Sequence, residues 1–206
     1  MESVVPASLK FDVVYGSHVL EHQVDLIGYL QSLEKLLRPG GRVIQMIPDL
    51  RTCFDALRYP TVTADALATH YHGGPVHRGR AVFDAMSREI DTNHGYPLCD
   101  ADFEGDSFRH TLAQAHAAMV DAEDTGRPYA DLHAWTFTPE SFRLLMIELR
   151  LLGLIRLQPN LVSTTFGNQF CVVLQPAPGE PQQLSPSTRE ALERERLALC
   201  KALRLR

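Results

Sequence analysis

The sequence is poor in several features that would commit it to a function. Its four cysteines, Cys53, Cys99, Cys171 and Cys200, contain no C-x-x-C pair, so neither a zinc knuckle nor a disulfide framework is legible. No G-x-G-x-G run occurs, and no phosphate-cradling loop can be picked out. No apolar stretch approaches the length of a membrane span. A charged start followed by an apolar core is also lacking at the N-terminus, so a secretory signal is not expected and the default location is the cytoplasm. Basic charge is not in excess: the formal net charge is −5, with an isoelectric point near 6.0, which argues against a nucleic-acid surface. Internal repeats are absent.

What is present is an ordinary globular composition, 45% hydrophobic and 22% charged over 206 residues, enough for one domain with an appendage. The most informative stretch is Phe11-Asp12-Val13-Val14-Tyr15-Gly16-Ser17-His18-Val19-Leu20-Glu21-His22. A short apolar strand breaks at Gly16-Ser17 into a turn rich in ionisable groups. Asp25 to Leu37 then has Leu26, Leu30, Leu33 and Leu37 on one helical face, with Asp25 near the first turn, where the helix dipole favours an anion. The Arg38-Pro39-Gly40-Gly41 segment predicts a turn that stops the helix. Val43 to Ile47 is a nearly continuous apolar run, as in a strand buried on both faces. Strand, turn, helix and strand together have the size of one βαβ unit, roughly 30 residues. Ligands of open α/β sheets sit outside the carboxyl ends of the strands, which directs attention to the 16–22 and 48–51 loops.

Further along, Phe54 to Arg58 suggests a short helical turn. Helices are predicted over Ala64–Tyr71, Arg78–Ile90 and Phe108–Ala122, with Asp91–Asp106 as an acidic loop between the last two. Trp135-Thr136-Phe137 reads as extended. A helix follows with Thr138 as its cap, Pro139 at its first position and Gly153 at its end. Leu154–Phe166 and Gln169–Leu174 read as a strand pair joined through Gly167-Asn168. Pro176 to Pro186 reads as a linker. Ser187–Leu203 reads as a charged helix whose narrow leucine stripe suits the surface or a partner chain.

Two segments near the start, FDVVYGSHVLEH and LEKLLRPGGRVIQMIPD, resemble the central part of class I S-adenosylmethionine-dependent methyltransferases. HAWTFTPESFRLLMIELRLLGL and NQFCVVLQ resemble that family's last helix and final antiparallel strands. The resemblance implies an α/β fold: an incomplete doubly wound, Rossmann-like sheet with a helical insertion and a C-terminal helix. The implied domains are 1–178, methyltransferase-like with an insertion over 60–128, and 179–206, a linker and charged helix. An insertion at that point commonly forms a lid over a substrate pocket in this family; a packing appendage is the other reading. Family members open with a strand, a Gly-rich loop and an acid for the ribose. Two βαβ units need roughly 60 residues, whereas only Met1–Lys10 precede the first strand here. The expectation is therefore that this chain alone binds S-adenosylmethionine weakly or not at all.

The candidate residues divide in the same way. By resemblance, Gly16, Ser17 and His18 line the cofactor side, and Asp49 and Arg51 face the methyl acceptor, a small molecule or glycan. Arg58 is a candidate to join them, though an ordinary Asp–Arg surface pair explains it as well. His133 is a candidate general base, since its titration lies close to physiological pH; a tucked structural histidine is the alternative. His18-Val19-Leu20-Glu21-His22 also matches H-x-x-E-H, which on a helix would place two histidines beside a zinc ion with Glu21 as base. The motif follows a buried strand rather than lying within a long helix, so no metal is expected, and Glu21 and His22 are read as hydrogen-bonded to neighbouring backbone. His70, His72 and His77 form a local cluster in sequence. Three functions thus remain open: methyl transfer, a non-catalytic methyltransferase-like assembly module, and zinc hydrolysis through His18-Glu21-His22. The first strand's unpaired edge predicts a homodimer or a partner chain.

Overall fold

A computed structural model describes residues 6, 8–91, 95–96, 106–124, 128–179 and 184–204. The first strand, β1 (Phe11–Ser17), pairs in parallel with β2 (Leu37–Pro48). Between them runs helix α1 (Leu26–Leu36). Asp25 caps α1, its carboxylate accepting the Gly28 amide at 3.0 Å. Leu26, Ile27, Leu30 and Leu33 supply the buried face of α1; Leu37, expected on that helical face, instead opens β2.

The Arg38–Gly41 segment does not separate helix from strand. It is an irregularity inside β2, where the pairing jumps from Phe11–Leu37 to Val13–Arg42. Gly40 takes φ +80° there, a left-handed conformation that suits glycine, and lets the extra residues loop out without ending the ladder.

Three helices, α2 (Thr63–His72), α3 (Gly79–Arg88) and α4 (Leu112–Ala122), occupy the predicted insertion. Two short strands, β3 (Ile90–Asp91) and β4 (Ser107–Phe108), pair across the expected acidic loop, most of which lies outside the described residues. Helix α5 (Pro139–Leu151) begins with a reciprocal capping box between Thr138 and Ser141. The last two strands are β5 (Leu157–Val162), shorter than the expected Leu154–Phe166, and β6 (Gln169–Pro176). Helix α6 (Pro186–Arg204) packs on α5, burying Leu192 and pairing Arg196 with Glu148 at 2.8 Å. Part of the expected linker before α6 lies outside the described residues.

The result is a mixed α/β fold. The main sheet runs β1-β2-β6-β5, with β6 antiparallel to both neighbours. Helices α1 and α5 pack over the sheet face that carries Val43, Ile47, Phe170, Val172 and Leu174, where the core lies. The opposite face carries Val13, Tyr15, Ile44, Met46, Cys171 and Val173, and none of these is buried. Among the described residues β1 has a strand on one side only.

Candidate functional site

The β1 strand ends in strain. His18 is the one non-glycine described residue with positive φ, at 53°, and its amide donates to the Met46 carbonyl at 3.0 Å. Such conformations persist where the surroundings over-determine them. His18 is therefore not part of a helix; only Leu20–His22 forms a single 3₁₀ turn. The long helix that H-x-x-E-H would require is not formed. His18 Nε2 instead meets Gln169 Oε1 at 2.8 Å.

The 3₁₀ turn is tied to a distant strand-like segment. The Glu21 carbonyl accepts the Ala134 and Trp135 amides at 2.8 and 3.2 Å, and the Trp135 indole donates to the Gln23 carbonyl at 2.5 Å. The His22 carbonyl accepts from His77 Nε2 at 3.1 Å and from the Tyr129 hydroxyl at 3.0 Å. These bonds bring His133 against Glu21 and His22, although nothing in local sequence spacing joins them.

The stretch after β2 adds the support. Arg58 is buried, and its guanidinium donates to Asp55 at 2.7 Å, to Asp84 at 2.8 and 3.1 Å, and to the His133 carbonyl at 2.7 Å. It does not join Asp49 and Arg51, and it is an interior brace rather than a surface pair. Asp55 accepts from His133 Nδ1 at 2.6 Å. Burial alone would push the Asp55 carboxyl up. The His133 hydrogen bond and the Arg58 charge outweigh it and hold the carboxyl below its usual range. An ionised carboxylate only accepts, so the neutral His133 ring carries its proton on Nδ1 and its lone pair on Nε2.

A cavity of about 460 Å³ opens beside this cluster. His22, Asp55, Arg58 and His133 line one side; Val82 and Met86 of α3 and Ala118 of α4 line the other. The insertion thus walls a cavity that begins at the loops following β1 and β2. A second cavity, of about 440 Å³, lies between Tyr59, His72, Arg80 and Trp135.

The other sequence candidates fall elsewhere. Gly16, Ser17, His18, Asp49 and Arg51 line neither cavity. Gly16 faces the buried Gln45; a Cβ there would stand 2.6 Å from Gln45 Oε1, so any side chain displaces that amide. Asp49 is fully buried, and both its oxygens are engaged by Arg51, at 2.9 and 2.6 Å, with Thr165 adding a further bond. Burial pushes the Asp49 carboxyl up, but these donors win and hold it low. His70, His72 and His77 do not form one cluster: His70 meets Asp25 at 3.0 Å, His77 is buried under His22, and His72 borders the second cavity. Asp55 and the pairing of Glu21 with His133 are the functional features that sequence spacing does not signal.

No curated protein and no solved structure matches the chain. A family model described as Methyltransferase domain matches residues 2–89. The matched span takes in both segments near the start, the β1-α1-β2 unit, the strained His18 turn and the Asp55–Arg58 brace. Over residues 2–89, the chain is thus similar to a methyltransferase domain.

Proposed function

We propose that the chain takes part in methyl transfer from S-adenosylmethionine to a small acceptor seated in the 460 Å³ cavity. The observation that carries this reading is the cavity's position. It lies where the loops after two parallel strands meet, on the side where open α/β sheets bind their ligands; its lining from His22 to Glu89 falls in the matched methyltransferase segment, and that from His110 to His133 lies beyond it. Catalysis of methyl transfer is largely a matter of orientation, because the sulfonium methyl is already activated and the acceptor need only be held in line. The apolar wall from α3 and α4 excludes water, while His133 presents a single lone pair whose direction Asp55 sets. Asp49 and Arg51 serve this arrangement from outside the cavity, by fixing the exit of β2.

The test uses millimolar S-adenosylmethionine, because a sequence with no Gly-rich run has few groups to hold the cofactor. Formation of S-adenosylhomocysteine is followed across a panel of small hydroxyl and amine acceptors. Turnover with at least one acceptor is expected, and Ala85→Trp, which fills the cavity from α3, should abolish it while the fold is retained. Turnover unaffected by the filled cavity would remove the acceptor from this position. A second reading, a non-catalytic methyltransferase-like module used in assembly, is favoured by the exposed apolar sheet face. It gains if no acceptor is methylated.

A further inference from the structure

Among the described residues, Glu21 and Asp106 each have both carboxylate oxygens buried without a hydrogen-bond partner, and Glu21 is the one ringed by imidazoles. Its side chain is 1% exposed, and neither oxygen has a hydrogen-bond partner. A buried carboxylate without partners is costly, and native proteins rarely leave one so. Three imidazoles surround it. His18 Nδ1 lies 3.5 Å from Oε1, His22 Nε2 3.8 Å and His133 Nε2 3.9 Å.

These distances decide between two readings. Hydrogen bonds to a carboxylate span roughly 2.7–3.2 Å between heavy atoms, so the imidazoles are too far away to satisfy it directly. Two ligands of one metal ion, each about 2.1 Å from it, stand about 3.0–4.2 Å apart according to the angle between them. The gaps from Glu21 to His22 and to His133 fall in that second range. The ligand atoms of all three residues lie within 4.8 Å of one another. A small rotation of one ring closes any pair that is too wide.

The histidines are also prepared for it. Metal-bound imidazoles generally have the second ring nitrogen held by a carboxylate or carbonyl, which fixes the lone pair on the first. His133 has this arrangement with Asp55 at 2.6 Å. His22 Nδ1 lies 2.8 Å from Asp131 Oδ1, at the distance though not the direction of a hydrogen bond. In both residues the nitrogen turned toward Glu21 is Nε2.

We propose that Glu21, His22 and His133 form a binding site for one divalent first-row transition ion, with zinc or cobalt preferred to magnesium. Two imidazoles and a single carboxylate suit borderline ions, whereas magnesium and calcium favour oxygen donors. The ligand set is not the inverted zincin set: His133 replaces His18, and Glu21 is a ligand rather than a base. It departs from the sequence expectation of no metal, which weighed the pentapeptide without His133. His22 and His133 both line the cavity, so the ion's remaining positions open toward it. Resting on the reading of that cavity as the acceptor seat, an acceptor oxygen is the ligand those positions would take. Metal binding itself does not depend on that reading.

The experiment reads the metal alone. The full chain is stripped with chelator and titrated with Co²⁺, Zn²⁺ and Mg²⁺, following heat and, for Co²⁺, the visible ligand-field bands. One equivalent of Co²⁺ or Zn²⁺ is expected to bind, with a rise in melting temperature. Glu21→Gln and His133→Ala should each weaken binding at least tenfold, and Asp55→Asn should weaken it 10–100-fold through the orientation of His133. His72→Ala, outside the cluster, should leave binding intact. Should a buried variant fail to fold, His22→Ala, at a half-buried position, reads the same loss. Absence of stoichiometric Co²⁺ and Zn²⁺ binding, a preference for Mg²⁺, or binding indifferent to both His22 and His133 would each overturn the proposal. Methyl transfer is read separately, as S-adenosylhomocysteine formed, so the failure of metal binding and the failure of that reaction are told apart.

Discussion

At the scale of single residues, Arg58 is the group whose loss should be felt most. It is a buried cation shared by two carboxylates and a carbonyl, and it also sets the environment of the carboxylate that orients His133. Removing one partner of a buried pair leaves an uncompensated charge and typically costs about 3–5 kcal/mol. Arg58→Met should therefore lower the urea midpoint strongly. The pH dependence follows from Asp55. Its folded pKa lies below the unfolded value of about 3.9, so the stability it contributes is complete above that value and is lost as pH falls through the folded one. In Arg58→Met the carboxyl loses that charge, burial pushes it up, and the acid loss should begin at higher pH. Denaturation series from pH 3 to 7 check both; identical acid limbs in the two proteins would remove Arg58 from the account. None of this is visible in sequence, where Asp55 and Arg58 are two more charges in a polar turn and Asp84 lies a helix away.

At the scale of elements, β1 carries an unusual burden. Val13 and Tyr15 are 52% and 64% exposed, on an edge strand with little charge to discourage pairing. Helix α6 packs on α5, where Leu192 is buried, while Leu197 stays exposed. Open apolar edges template association, and two identical edges close as an isologous pair. We expect a homodimer through β1. Val13→Lys combined with Tyr15→Lys should give a folded monomer, because neither side chain enters the core, whereas Val13→Pro should damage both sheet and assembly. Light scattering across a concentration series checks this, and a wild-type monomer at high concentration would defeat it. The elements themselves were largely legible. Leu26, Leu30 and Leu33 at helical spacing disclosed α1, though Leu37 proved to lie in β2, and Thr138-Pro139 disclosed the start of α5. The Arg38–Gly41 irregularity was not, because a Pro-Gly-Gly turn and a Pro-Gly-Gly bulge have the same composition and differ only in whether Leu37 still pairs with Phe11.

At the scale of the whole molecule, the order of the sheet and the walls of the cavity are long-range facts. Periodicity discloses that a segment is a strand or a helix; it says nothing of which loop meets which. The 16–22 loop was identified as a site from its place after β1, and His133 was singled out for its chemistry. Their meeting depends on the Ala134 and Trp135 amides reaching the Glu21 carbonyl, a contact between segments that share no pattern. The insertion's part in the cavity was legible only as a general tendency of such insertions, and the pairing of α3 with α4 that makes it a wall was not.

The position of β2 has a consequence during synthesis. Its parallel partner β1 has already been made when β2 emerges, but its other neighbour, β6, begins only at Gln169. At roughly 5–20 residues per second, the ribosome takes about 6–24 s to travel from Pro48 to Gln169. Throughout that interval the growing polypeptide displays Val43 and Ile47 beside an unclosed ladder, and until Leu151 has been added α5 is not there to cover them. Nascent chains arrested before β6 should be cut readily by protease and held by chaperones, and those extended far enough for Pro176 to clear the exit tunnel should be protected. Equal protease resistance at both lengths would mean that β1, α1 and β2 are self-sufficient from the moment they are made.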